Sequence, residues 1–179
     1  MSSVPDRPVT GVPGAPPLFL PEVPFPPYRF VPGHAPHPFL PGGYAAGERQ
    51  EPPPYVSLDR WRASPAYLRG LDFFNRAWWW EAHETWESLW HVCEGRDEAQ
   101  HDFLKALIQL AACALNRERG NDAGSDRLLE SATAALERAR QRAGADVLGG
   151  LDVVGLAREA RSRLGAPAPR VEGFWLRPA

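Results

Sequence analysis

The sequence predicts an all-α fold: a compact orthogonal bundle of about five helices carrying a proline-rich, mostly irregular N-terminal arm. Seventeen of the 20 prolines lie within residues 1–65, a density that excludes helix and central strand. Beyond Ser64 the apolar residues recur at helical spacing between well-placed capping residues. No stretch gives a clear strand signal. The expected division is an arm over residues 1–58, partly packed on the body, a helical bundle over 59–165 and a C-terminal tail over 166–179.

The arm differs from a plain solubilising tail because Leu18, Phe19, Leu20, Phe25, Tyr28, Phe30, Phe39, Leu40, Tyr44 and Tyr55 recur along it, and disordered segments are usually poor in aromatics. Residues 18–45 are expected to lie extended along the body and bury those rings, with residues 1–15 mobile. The alternative is a disordered linker or a partner-binding polyproline stretch.

The first helix follows from Ser64 as N-cap with Pro65 at the first helical position, and from Tyr67, Leu68, Leu71 and Phe74 on one face. Asn75 breaks it after about ten residues. A second helix runs from about Trp78 to Val92. Asp97 caps a third, ending near Arg119 at Gly120, and Asn121 caps a fourth that stops near Gly144. Asp152 to Leu164 fits a last short helix. The third helix is apolar over most of its circumference, leaving Lys105, Gln109 and Asn116 as a narrow polar strip, so it belongs at the centre with the second and fourth packed on it.

Net charge is −2, with −3 over residues 61–116, so no basic footprint for nucleic acid is present and none is expected as a partner. Two cysteines, Cys93 and Cys113, fall among apolar neighbours and are expected to be buried free thiols. No segment approaches the roughly 18 apolar residues of a membrane span and no leader pattern opens the sequence. A cytoplasmic protein with no membrane association is expected.

Most of the chemistry is concentrated in Trp78 to His91, where two histidines and several carboxylates stand among five tryptophans. On a helical wheel with Trp79 at zero, Ala82, Trp86, Leu89, Trp90 and Cys93 form the core stripe. His83 falls at about 40° and Glu87 at about 80°, on its edge. Trp80, His91 and Glu84 follow, and Glu81 and Ser88 lie on the far side. Residues three and four apart are neighbours on a helix, so His83, Glu84 and Glu87 share one face.

Three chemistries fit that face. A divalent metal could be held by His83, Glu87 and Glu84, with His91 as a further ligand, but the third helix offers only poor ligands to complete it. A His83–Glu87 pair could act as a general base, with His83, Glu84 and Glu87 as catalytic candidates, although no nucleophile with a recognisable setting accompanies it. Or the cluster could be a buried, satisfied network with Gln109, Asn121 or arm backbone that fixes helix packing. No organic cofactor site is indicated; the one cofactor these residues suggest is a divalent metal. His34 and His37 offer a weaker metal signal in a proline loop, against a turn whose histidines pack. Trp78 and Trp80 point off the core stripe, toward the arm or a partner subunit. Phe174-Trp175-Leu176 must dock on the body or meet another chain. The Arg138, Arg140, Arg142 and Arg158, Arg161, Arg163 runs are expected to solvate helix faces.

Phe74-Asn75, then Glu81-Ala82-His83-Glu84-x-x-Glu87-x-x-Trp90, then Leu107 to Ala112, then Gly120-Asn121-x-x-Gly124 resemble, in order and spacing, the prokaryotic family called domain of unknown function 309. The likeness covers about residues 65–140, and Pro27 to Gly33 with Pro36-His37-Pro38 is similar to an extension that some members carry. It implies a compact all-helical fold and a motif role for His83, Glu84, Glu87, Trp90, Gln109 and Asn121, beside Asn75. Asn116 departs from a histidine or larger polar residue in members, and Ser125 from an alanine. Two functions are carried forward. One is a non-enzymatic interaction or scaffold protein with a buried His/Glu network, whose arm and tryptophans meet a protein partner or a second copy. The other is a small metal-dependent hydrolase using His83, Glu84 and Glu87.

Overall fold

The computed structural model describes residues 14–49, 51–165 and 173–179. A 3-10 segment, Leu58–Ala63, precedes five α-helices: α1 Pro65–Phe74, α2 Trp79–Cys93, α3 Glu98–Glu118, α4 Asp122–Ala143 and α5 Val153–Leu164. The anticipated caps Ser64, Asp97 and Asn121 set three of these starts, and Asp152, expected as the first residue of its helix, caps a fourth. Ser64 accepts from Tyr67 N, Asp97 from Gln100 N, Asn121 from Gly124 N, and Asp152 from Val154 N and Gly155 N. Each oxygen satisfies N–H groups that the first helical turn leaves unpaired.

α3 is the centre, with α2 and α4 packed against it. Phe103, Leu104, Leu107, Leu110, Ala111 and Cys113 are all sealed from solvent. Cys93 and Cys113 are buried free thiols, and burial pushes Cys93 up to about 11. α1 crosses close to α2 because Gly70 has no side chain. A Cβ there would lie 2.1 Å from the indole nitrogen of Trp86, which is fully buried.

Besides the 3-10 segment, a second element was not legible in the sequence: a two-stranded antiparallel hairpin, β1 Val147–Leu148 and β2 Leu151–Asp152. Two residues per strand are too few for a period. The turn is Gly149-Gly150, both at positive φ, the conformation that tight hairpins favour. Tyr67 donates its hydroxyl to Gly149 O at 2.8 Å, tying the hairpin to α1.

The arginines of α4 lie at the surface as expected, and two of them also reach α3. Arg138 and Arg142 both pair with Asp102 of α3, at 3.2 and 2.7 Å, because that carboxylate is buried on the side of α3 that meets α4. At the far end of α3, the buried Arg117 joins three helices. It donates to Leu164 O at 2.8 Å and to Asp122 at 2.7 Å, and pairs with Asp126.

The arm runs over α1 and α2. Phe19 meets Trp61 edge-on, Phe25 meets Phe73 and Trp78, and Phe30 meets Trp80. Leu40 stays exposed. Mobility of residues 1–15 was expected, and of these 1–13 lie outside the described residues. Phe174 and Leu176 dock on the body and are sealed from solvent. Asn75 clasps that tail with both halves of its amide: Nδ2 donates to Leu176 O at 2.9 Å and Oδ1 accepts from Leu176 N at 2.7 Å.

Candidate functional site

The joint between α1 and α2 sets the motif's position. Asn75 ends α1, and Ala77 follows at φ 62°, a left-handed conformation that costs a non-glycine residue about 1 kcal/mol or more. Trp78 N then bonds Phe73 O at 3.0 Å, and α2 starts at Trp79. Two turns of α2 present the candidate residues.

His83, Glu84 and Glu87 come together. One ligand atom from each lies within 4.8 Å of the others, and His83 Nε2 stands 4.0 Å from Glu87 Oε1. This distance is an ion-pair contact, too long for a hydrogen bond. The side chains of His83 and Glu87 are 28% and 41% exposed, so the cluster is half-buried rather than sealed. The Glu84 carboxyl is held above the usual carboxylate range, chiefly by partial burial; His83 pulls it down and Glu87 pushes it up.

The expected network around this cluster does not form among the described residues. Gln109 instead donates to Ser131 Oγ at 2.8 Å, tying α3 to α4. Asn121 caps α4 and donates to Asn116 Oδ1 at 3.1 Å. Trp90 stacks on His101 with ring centres 4.5 Å apart. Asn75 is committed to the tail. His91 is exposed and lies against Trp90, outside the group of ligand atoms. The reason is positional: Gln109 and Asn121 face α4 and its start, while the His83 edge of α2 faces outward. His37 packs among Phe30, Phe39 and Trp80, and its Nδ1 accepts from Phe39 N at 3.3 Å, while His34 is exposed. Trp78 and Trp80 both meet the arm.

Two other carboxylates, Glu81 at the head of the motif and Asp72 on α1, bond the arm. Glu81, assigned to the far side of α2, is only 3% exposed, because the arm covers that side. Its Oε1 accepts from Phe30 N at 2.6 Å, and its Oε2 has no hydrogen-bond partner among the described residues. Burial pushes this carboxyl up to about 7, while the Phe30 bond and Arg29 pull it down. The Tyr44 phenol is raised by burial first and then by the charges of Glu81, Tyr28 and Glu84. On α1, the fully buried Asp72 accepts from Phe19 N at 2.8 Å and Leu20 N at 3.0 Å. A signal for Asp72 was available: an acidic residue between Leu71 and Phe73-Phe74, inside an apolar stripe, requires a donor.

Fold and site together define a small all-α domain whose second helix carries a His/Glu cluster on its rim. No helix among the described residues is long and apolar enough to cross a membrane. Residues 67–128, from the first turn of α1 into α4, match the family described as Domain of unknown function (DUF309). No curated protein and no solved structure matches the chain.

Proposed function

We propose that the chain is a non-enzymatic interaction module, and that the His83–Glu84–Glu87 face of α2 is the surface it offers to a partner. One observation carries this: the three side chains contact one another at a half-buried rim and bond to no other part of the fold among the described residues. Polar groups that hold a bundle together are normally paired into it, and these are not. Their chemistry suits a group of positive charge, either a basic side chain or a divalent ion shared with a partner. The free thiols Cys93 and Cys113 support a reducing, cytoplasmic location.

The test is a chemical melt of the His83→Ala/Glu84→Ala/Glu87→Ala variant without divalent ions. Stability within about 1 kcal/mol of the native chain is expected, as for surface substitutions. A loss of about 3 to 5 kcal/mol, as when a buried pair is broken, overturns the proposal in favour of a structural cluster.

A second function, a small metal-dependent hydrolase, is favoured by the convergence of three donor atoms of suitable chemistry. Against it, all three come from adjacent turns of one helix, where ligands from other segments would be needed to close a site. Stoichiometric bound metal that the triple variant loses, together with hydrolysis of a model ester, would establish it.

A further inference from the structure

The body recognises the arm as a receptor recognises an extended peptide. Proline-rich chain is short of N–H donors and leaves carbonyls unpaired, and the α1–α2 face answers both conditions. Arginines meet the carbonyls: Arg76 bonds Pro16 O at 2.9 Å, and Arg69 bonds Val23 O at 2.9 Å and also Pro24 O. Carboxylates meet the remaining donors, Asp72 taking Phe19 N and Leu20 N and Glu81 taking Phe30 N. All these contacts address backbone. Side-chain selection comes from rings set five or six residues apart, Phe19, Phe25 and Phe30, each against an aromatic of the body. Arg69 also lies over both Phe25 and Phe73, at 4.5 and 4.3 Å from the ring centres.

The arm stays packed as far as Ala45, and the covalent route from there to the body is loose. From Ala46 to Pro54 every described residue except Pro53 is exposed, and firm contact resumes at Tyr55, which donates to Asp97 at 3.0 Å. The contacts holding residues 16–30 in place therefore do not depend on which chain supplies them.

We propose that the α1–α2 face is a receptor for the arm of a second copy of this chain, so that two copies associate by exchanging residues 16–30. The inference goes beyond the His83 surface and stands without it. With the native linker the arm meets its own face at an effective concentration of about millimolar, so dilute protein is self-docked and exchange competes only where copies are concentrated. A short linker tips the balance, as in other domain swaps.

Two full-length variants test this by complementation. Phe19→Ser/Phe25→Ser/Phe30→Ser blunts the arm and keeps the receptor; Asp72→Ala/Glu81→Ala blunts the receptor and keeps the arm. Each alone is expected to be a folded monomer by circular dichroism and light scattering, and an equal mixture is expected to form a one-to-one heterodimer. A mixture that remains two monomers, both melting cooperatively, overturns the proposal. If the receptor variant does not fold, deletion of residues 47–53 from the otherwise native chain decides. A dimer of intact helicity is expected, and a monomer of any arm conformation overturns exchange.

Discussion

α2 carries two sets of acidic side chains little more than one turn apart, and they behave oppositely. Glu81, with Asp72 on α1, is buried and gives its oxygens to backbone N–H groups of the arm. Glu84 and Glu87 sit with His83 on a half-exposed rim and bond to no other part of the fold among the described residues. Glu81 at the head of the motif and Asp72 outside it attach the arm, and both are buried.

The first way to sharpen this contrast is to measure what the body is worth apart from either set. Gly70→Ala drives a methyl group into the Trp86 ring, and overpacking of this kind costs about 1 to 3 kcal/mol or more. A urea melt should show the largest loss of any single change here, with α1 and α2 separating. A near-neutral result would mean the two helices are not held at this distance.

The arm anchors predict an unusual pH response. Glu81 has a carboxyl raised from 4.5 to about 7 by burial, so the folded chain binds this proton more tightly than the unfolded one. Its contribution to stability is fully present below the unfolded value of 4.5 and is lost as pH rises through about 7. The raised carboxyls of Asp72 and Glu84 act in the same direction. Glu81→Gln keeps an acceptor for Phe30 N and removes the titration. Melts at pH 5 and pH 8.5 should show the native chain losing on the order of 3 kcal/mol more than the variant. Parallel curves would mean that Glu81 is solvated and the arm does not cover it.

Asp72→Ala removes two charge-assisted bonds to the arm, with part of the loss offset by no longer burying a carboxylate; about 2 kcal/mol is expected. Limited proteolysis should cut within residues 16–30 in this variant and spare them in the native chain. Smallest of all is the triple change at His83, Glu84 and Glu87, under about 1 kcal/mol. If its cost exceeds that of Asp72→Ala, the contrast between the two acidic sets is reversed.

How much of this was legible depended on the range of each interaction. Helix bounds were readable because caps act within three residues: Ser64-Pro65, Asp97, Asn121 and Asp152 each announce a start. The central place of α3 was readable because its apolar residues run nearly all round it. The grouping of His83, Glu84 and Glu87 was readable too, since neighbours on one helix follow from geometry alone. The fate of Glu81 was not. A wheel divides a helix into a face toward the body and a face toward water, and it has no place for a segment 51 residues away that returns to cover the second face. Gln109 misled for a related reason. It lay on the polar strip of α3, but the strip faced Ser131 of α4 rather than α2.

The Asn75 clasp has a consequence for the order of events as the chain is made. The two residues it joins are 101 positions apart, and Phe174 beside it fills a fully buried place against Phe74. Every helix of the body has been synthesised before that ring exists, so a nascent chain must hold an open apolar seat at the α1–α2 joint until residues 174–176 arrive. During this interval Phe74 is exposed to whatever apolar surface comes first, and chaperone engagement should fall when Leu176 seats.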